Sequence, residues 1–128
     1  MNVKIDTKEK FQAIRVLEPI LSVNMTDSFE KLLLNCLEEN VKNVVLNMEE
    51  VQEMDSGSAD LLVKTQQVFY DHNFSFVLCC IRPELEAKLD EWGSLEMLNT
   101  TPTESEAWDI VQMEEIEREF LREDEESV

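Results

Sequence analysis

Asn43-Val44-Val45-Leu46-Asn47-Met48, followed after a polar connection by Met54-Asp55-Ser56-Gly57-Ser58-Ala59, reads as a strand delivered to the start of a helix. The first segment is dense in β-branched residues and bounded by polar ones, the pattern of a buried strand. Downstream, residues 59–71 carry Leu61, Leu62, Thr65, Val68 and Phe69 at helical spacing. The joint between them therefore lies at a strand's carboxyl end and a helix's amino end. There the first backbone N–H groups lack intrahelical partners and the dipole favours negative charge. Two readings stay open for the joint. Asp55, Ser56 or Ser58 caps the helix, or the site holds an anion, including a phosphate placed on one of its own serines.

Upstream, Val3-Lys4-Ile5-Asp6 and residues 11–17 alternate apolar and polar side chains, which predicts two half-buried strands joined by the turn Thr7-Lys8-Glu9-Lys10. Pro19, with no N–H to donate, ends that pairing. Asn24, Thr26 or Asp27 opens a helix whose Phe29, Leu32, Leu33, Cys36 and Leu37 fall on one face. Downstream, Asn73 stops the central helix in a left-handed conformation. Residues 74–81 are nearly all apolar, as in a strand covered on both sides. Pro83 starts a helix carrying Leu85, Leu89 and Trp92, and Gly93 ends it. Met97-Leu98 reads as a short edge strand. Two overlapping capping boxes, Thr101 to Glu104 and Thr103 to Glu106, start a last helix docked by Ala107, Trp108, Val111 and Ile110. From residue 114 the chain is an acidic helical extension or tail with a thin stripe of Ile116, Phe120 and Leu121. The expected organisation is one domain over residues 1–113 and that extension over 114–128.

With 29 acidic residues against 11 basic ones, the formal net charge is −18. Nucleic-acid binding relies on clustered Lys and Arg, and no such cluster is present, so direct nucleic-acid binding and docking on an anionic membrane are disfavoured. No apolar run approaches the roughly 20 residues of a membrane-spanning helix, and the first residues lack a signal-peptide pattern. Membrane insertion is not expected, and a cytoplasmic location is. Cys36, Cys79 and Cys80 form neither a paired framework nor a C-x-x-C motif and read as buried free thiols. The single histidine, His72, builds no metal cluster. No metal or other cofactor is expected. An enzyme built on Ser56 or Ser58 needs a base in reach, yet His72 sits at the far end of the same predicted helix, roughly 20 Å away at 1.5 Å per residue.

Two leading strands, a helix, a buried strand, an Asp-Ser joint, a helix, a strand, a helix, a short strand and a final helix: this order resembles the STAS domain, named for sulphate transporters and anti-sigma-factor antagonists. The resemblance covers residues 1 to about 113. Its best local match is Val44-Val45-Leu46-Asn47, seven residues, then Asp55-Ser56-Gly57-Ser58, where the family typically has an apolar strand ending in Asp followed by Asp-Ser-Ser-Gly or Asp-Ser-Thr-Gly. Leu61-Leu62, His72-Asn73 before Phe74, and Glu106-Ala107-Trp108 are similar to further family landmarks. The resemblance implies an α/β fold, a mixed sheet of four to five strands with helices packed against it.

The resemblance also implies a binding protein, not an enzyme. In anti-sigma-factor antagonists the residue before the joint's glycine is a serine or threonine that a partner kinase, itself the anti-sigma factor, phosphorylates with ATP; the phosphorylated antagonist lets go. Aligned without a gap, Gly57 takes that acceptor position and Ser58 the glycine position. Asn47 replaces the strand-end Asp, and Asp60 replaces a small residue. A one-residue deletion would instead put Ser56 in the acceptor's place, but the ungapped register also sets Asn73 against the family's helix-ending glycine and is preferred. Ser56 and Ser58 remain candidate phosphorylation sites. Asp55, Ser56, Gly57, Ser58 and Asp60 are the candidate partner-binding residues. The expected partner is an anti-sigma factor or serine-kinase-like protein; the alternative is a scaffold or accessory subunit attached to a membrane transporter.

Overall fold

The computed structural model describes the backbone of residues 1–126 and the side chains of residues 1–122; the last two residues of the acidic extension lie outside the described residues. Strands β1 (Val3–Thr7) and β2 (Gln12–Val16) form an antiparallel hairpin in register from Val3 opposite Val16 to Thr7 opposite Gln12. A short β3 (Ile20–Leu21) leads through a 3-10 turn into α1 (Thr26–Asn35). Then come β4 (Val44–Asn47), a short β5 (Glu53–Met54), α2 (Ser56–Asp71), β6 (Phe76–Cys79), α3 (Pro83–Glu91), β7 (Thr100–Thr101) and α4 (Glu104–Glu126).

The main sheet has the order β1-β2-β4-β6-β7, with every pairing after the hairpin parallel. This is the predicted α/β architecture, a mixed five-stranded sheet with helices on it. All four residues of β4 and all four of β6 are buried, because central parallel strands are covered on both faces. Alternation sorts them. Val44, Leu46, Phe76 and Leu78 face the large core with Phe29, Leu33, Leu62, Phe69, Leu85 and Leu89 from α1, α2 and α3, whereas Val45, Val77 and Cys79 face Ala107 and Val111 of α4.

The second face is thin. A fully buried large apolar side chain contributes roughly 1.5–3 kcal/mol, and among its described residues α4 offers that core only Ala107 and Val111 as fully buried ones. Polar contacts hold the helix further along. Buried Asn43 donates from Nδ2 to the Lys10 carbonyl at 2.9 Å and to Glu115 Oε1 at 2.7 Å, while its Oδ1 accepts the Ser75 amide at 2.8 Å. The Arg118 guanidinium donates to Ser75 Oγ at 3.2 Å and to Asn43 Oδ1 at 3.4 Å. Glu115 also pairs with Lys10 at 3.6 Å.

Several boundaries differ from expectation. The edge strand is Thr100–Thr101, whereas Leu95–Met97 is a 3-10 turn: Leu98 turns into the core, so pairing with β6 begins two residues later. No side chain caps α1. Its N-cap is Met25, and Thr26 Oγ1 donates to the Val23 carbonyl at 2.8 Å. Trp92 and Trp108 are exposed, not docked: Trp92 is the C-cap residue past the last turn of α3, and Trp108 lies about 100° around α4 from Ala107. The connection after β4 is not wholly polar, since Val51 is fully buried. Beyond Pro19 the chain pairs again: β3 runs parallel to β5, and the Pro19 carbonyl accepts the Gln52 and Glu53 amides at 2.8 and 3.1 Å.

The helix ends follow their residues. Asn73 has φ 62° and Gly93 φ 76°, the left-handed conformation that releases a chain from a helix. Thr103 caps α4, its Oγ1 accepting the Glu106 amide at 3.2 Å, so the second of the two capping boxes is the one used. Cys80 also has a positive φ of 60°, which lets the chain leave β6 and turn toward Pro83. No described helix is long and apolar enough to cross a membrane.

Candidate functional site

Asp55 is the hinge of the joint. Its backbone is extended (φ −90°, ψ 168°), and Oδ1 accepts the Ser58 amide at 2.9 Å as the N-cap of α2. Oδ2 reaches the other way and accepts the Val23 amide at 2.8 Å. The Asp55 amide itself donates to the Leu21 carbonyl at 3.2 Å. One side chain thus ties the β3 segment to the start of α2. The Ser58 amide first, and the Val23 amide with it, hold the Asp55 carboxyl below its ordinary range against the opposing effect of burial.

The three residues that follow divide by helical geometry. Ser56, the first residue of α2, is exposed, and Asp60 is exposed one turn on. Ser58 points into the protein: it is 2% exposed, and its Oγ has no hydrogen-bond partner. Gly57 lies under Val23, and a Cβ at Gly57 would stand 3.2 Å from Val23 Cγ2. Of the five residues expected to form the docking face, Asp55, Ser56, Gly57 and Asp60 border the surface and Ser58 does not. Of the two serines, only Ser56 presents its hydroxyl outward.

Val23 was not among the sequence candidates. It is a large exposed apolar side chain beside the joint, brought there by the β3–β5 ladder. Its only signal in the sequence is that it alternates, with Met25, between the polar residues Ser22, Asn24 and Thr26. Asn47, at the end of β4, keeps an acceptor role by taking the Glu49 amide on Oδ1 at 2.9 Å. Beside the joint a cleft of about 680 Å³ opens between the β3–β5 ladder and α3, lined by Ser22, Met54, Asp55, Arg82, Glu84 and Lys88 among others. Its charges are mixed, and Arg82 Nε is already committed to the Glu49 carbonyl at 2.9 Å.

His72 lies at the opposite end of α2 from Ser56 and Ser58, with Nδ1 2.8 Å from the Val68 carbonyl. It is no base for either serine. The three thiols are free. Burial pushes the Cys36 thiol up to about 11, with Glu39 adding to it, and burial likewise raises Cys79. Among the described residues no group of three His, Cys, Asp or Glu side chains is placed to hold a metal ion.

A mixed sheet whose central strand leads, through a short connection and β5, to a capped joint and a long helix defines a domain of the STAS type. The family model described as the STAS domain matches residues 2–107, and the chain belongs to that family. The sequence resemblance to STAS domains is thereby borne out. Among solved structures, the chain is similar to a candidate anti-sigma factor antagonist from Thermotoga maritima at 17% identity and a TM-score of 0.73, covering 86% of this chain and 94% of that one. It is similar to the anti-sigma factor antagonist SpoIIAA of Bacillus in its unphosphorylated form at 18% identity and TM-score 0.68, with 87% and 96% covered. A murine anion transporter, Solute Carrier 26 family member A9, matches at 14% identity and TM-score 0.68 over 80% of this chain and 18% of the transporter. At these identities the likeness is one of fold. Comparison with curated proteins gives no match.

Proposed function

We propose that the chain is a regulatory protein-binding module of the anti-sigma-factor-antagonist type, docking its partner through Asp55, Ser56, Gly57, Val23 and Asp60 and carrying out no catalysis itself. The observation that carries this reading is the exposed Ser56 at the first position of α2, flanked by a fixed Asp55 and an uncovered Val23. A phosphate on Ser56 would add about −1.5 to −2 charges to that face. The helix amino end tolerates the anion, while acidic groups on a docked partner would be repelled. The partner of this reading is an ATP-using serine-kinase-like protein.

A second reading has its own observation. Ser58 is buried, and in the ungapped register with the family Gly57, not a serine, takes the acceptor position. A module without a phosphate release step suits a fixed scaffold, or an accessory subunit of a membrane transporter.

Both are tested by passing the tagged chain through lysate of its source cell with and without ATP. The first reading expects a kinase-like protein retained without ATP and released with it, phosphate on Ser56, no phosphate on Ser56→Ala, and unchanged phosphorylation of Ser58→Ala. Retention of transporter subunits, or of a partner indifferent to ATP, overturns it in favour of the second.

A further inference from the structure

We propose that the outward face of α4 is a second docking surface, built for a basic amphipathic helix of a partner protein. Met113, Ile116 and Phe120 fall at i, i+3 and i+7 and are 56%, 60% and 66% exposed. At about 100° per residue they lie roughly half a turn around α4 from Ala107 and Val111, which face the sheet. Three large apolar side chains in one row on the solvent side of a helix form a seam, which single scattered exposed residues do not.

The seam is held in place in advance. Glu115 and Arg118 reach to the other side of the helix and bind Asn43 and Ser75, both buried. The turns bearing Ile116 and Phe120 are therefore ordered before any partner arrives, which lowers the entropic cost of binding. The position is also separate from the joint. Asn43 and Ser75 precede β4 and β6, whereas Asp55 follows the other end of β4, so one partner at each end is sterically permitted.

Charge selects the occupant. Over its length α4 carries eleven acidic residues against two basic ones. Asp109, Glu117 and Glu119 are exposed alongside the seam, and the basic Arg118 is turned toward the sheet. A second copy of this chain would set two such acidic helices side by side, and like charges there are destabilising. A helix with its own apolar row bordered by Lys and Arg meets both the seam and its flanks.

The probe is a helical peptide of leucine and lysine with leucines at i, i+3 and i+4 spacing, titrated against the full chain by fluorescence anisotropy. Wild type is expected to bind. Ile116→Ser with Phe120→Ser, which leaves the net charge unchanged, is expected to weaken binding by about tenfold or more, the size of a hot-spot loss. Glu117→Gln with Glu119→Gln is expected to weaken it several-fold. Circular dichroism melts of both variants matching wild type would confirm that the fold is retained. Absence of binding, equal affinity of the Ile116/Phe120 variant, or indifference to the Glu117/Glu119 change overturns the proposal. So does sedimentation equilibrium showing a wild-type dimer that the same apolar substitutions dissociate, which would make a second copy the occupant.

Discussion

Asp55 holds Val23: its Oδ2 takes the Val23 amide at 2.8 Å while its Oδ1 takes the Ser58 amide at 2.9 Å, so one carboxylate joins two segments 32 residues apart in sequence. Removing it leaves both amides without that acceptor. Asp55→Ala is expected to cost about 1–2 kcal/mol, the upper range for an N-cap, as a lower urea midpoint with an unchanged slope.

The same carboxylate sets a pH dependence. Its folded pKa lies below the ordinary carboxylate value, the Ser58 amide being the main cause. In acid the unfolded chain therefore binds more protons at this site than the folded chain, and stability rises with pH there. The contribution is fully present above the unfolded value of about 4 and is lost as pH falls through the folded value. The stability difference between wild type and Asp55→Asn should shrink as urea titrations are moved from pH 7 towards pH 3. A constant difference would remove the carboxylate from the account.

Gly57 and Val23 should be coupled. Replacing a helical glycine by alanine gains up to about 1 kcal/mol of propensity, but here the new Cβ meets Val23 Cγ2 at 3.2 Å. Gly57→Ala alone is expected to change stability little. In a Val23→Ala background the same change should stabilise by up to about 1 kcal/mol, and a double-mutant cycle from thermal melts reads the coupling directly.

Asn43 should be costly to truncate. Asn43→Ala strands the Ser75 amide and deprives Glu115 and Arg118 of a partner. A loss of about 2–3 kcal/mol is expected, since unsatisfied buried polar groups cost roughly 1–3 kcal/mol each. Ending the chain after Met113 should also lower the melting temperature, because it removes both Glu115 and Arg118; an unchanged melt would mean that the anchor contributes nothing.

Thiol labelling should be ordered. Cys36, raised to about 11, and Cys79, raised by burial, are held protonated at neutral pH, and the thiolate is the reactive form. In the native protein an alkylating reagent at pH 8 is expected to reach the partly exposed Cys80 first. Cys36 and Cys79 should label only as fast as the chain unfolds, which mass spectrometry of timed samples would show.

Local features wrote themselves into the sequence. The apolar runs of β4 and β6, the one-sided spacing of α1 and α2, Pro83 at the start of α3, and Asn73 and Gly93 at helix ends all act through the residue itself or a neighbour within one turn. Their order was enough to reach the STAS fold. The tertiary structure alone decided what depends on residues far apart. It paired β3 with β5 and so set Val23 over Gly57; it turned Leu98 inward and moved the edge strand to Thr100–Thr101. It also separated two serines that look alike in sequence, since Ser56 and Ser58 are two residues apart on a helix of 3.6 per turn and only one faces solvent. Asn43 met Glu115 and Arg118 across more than 70 residues. Periodicity states which faces a chain offers, and packing alone states what each face meets.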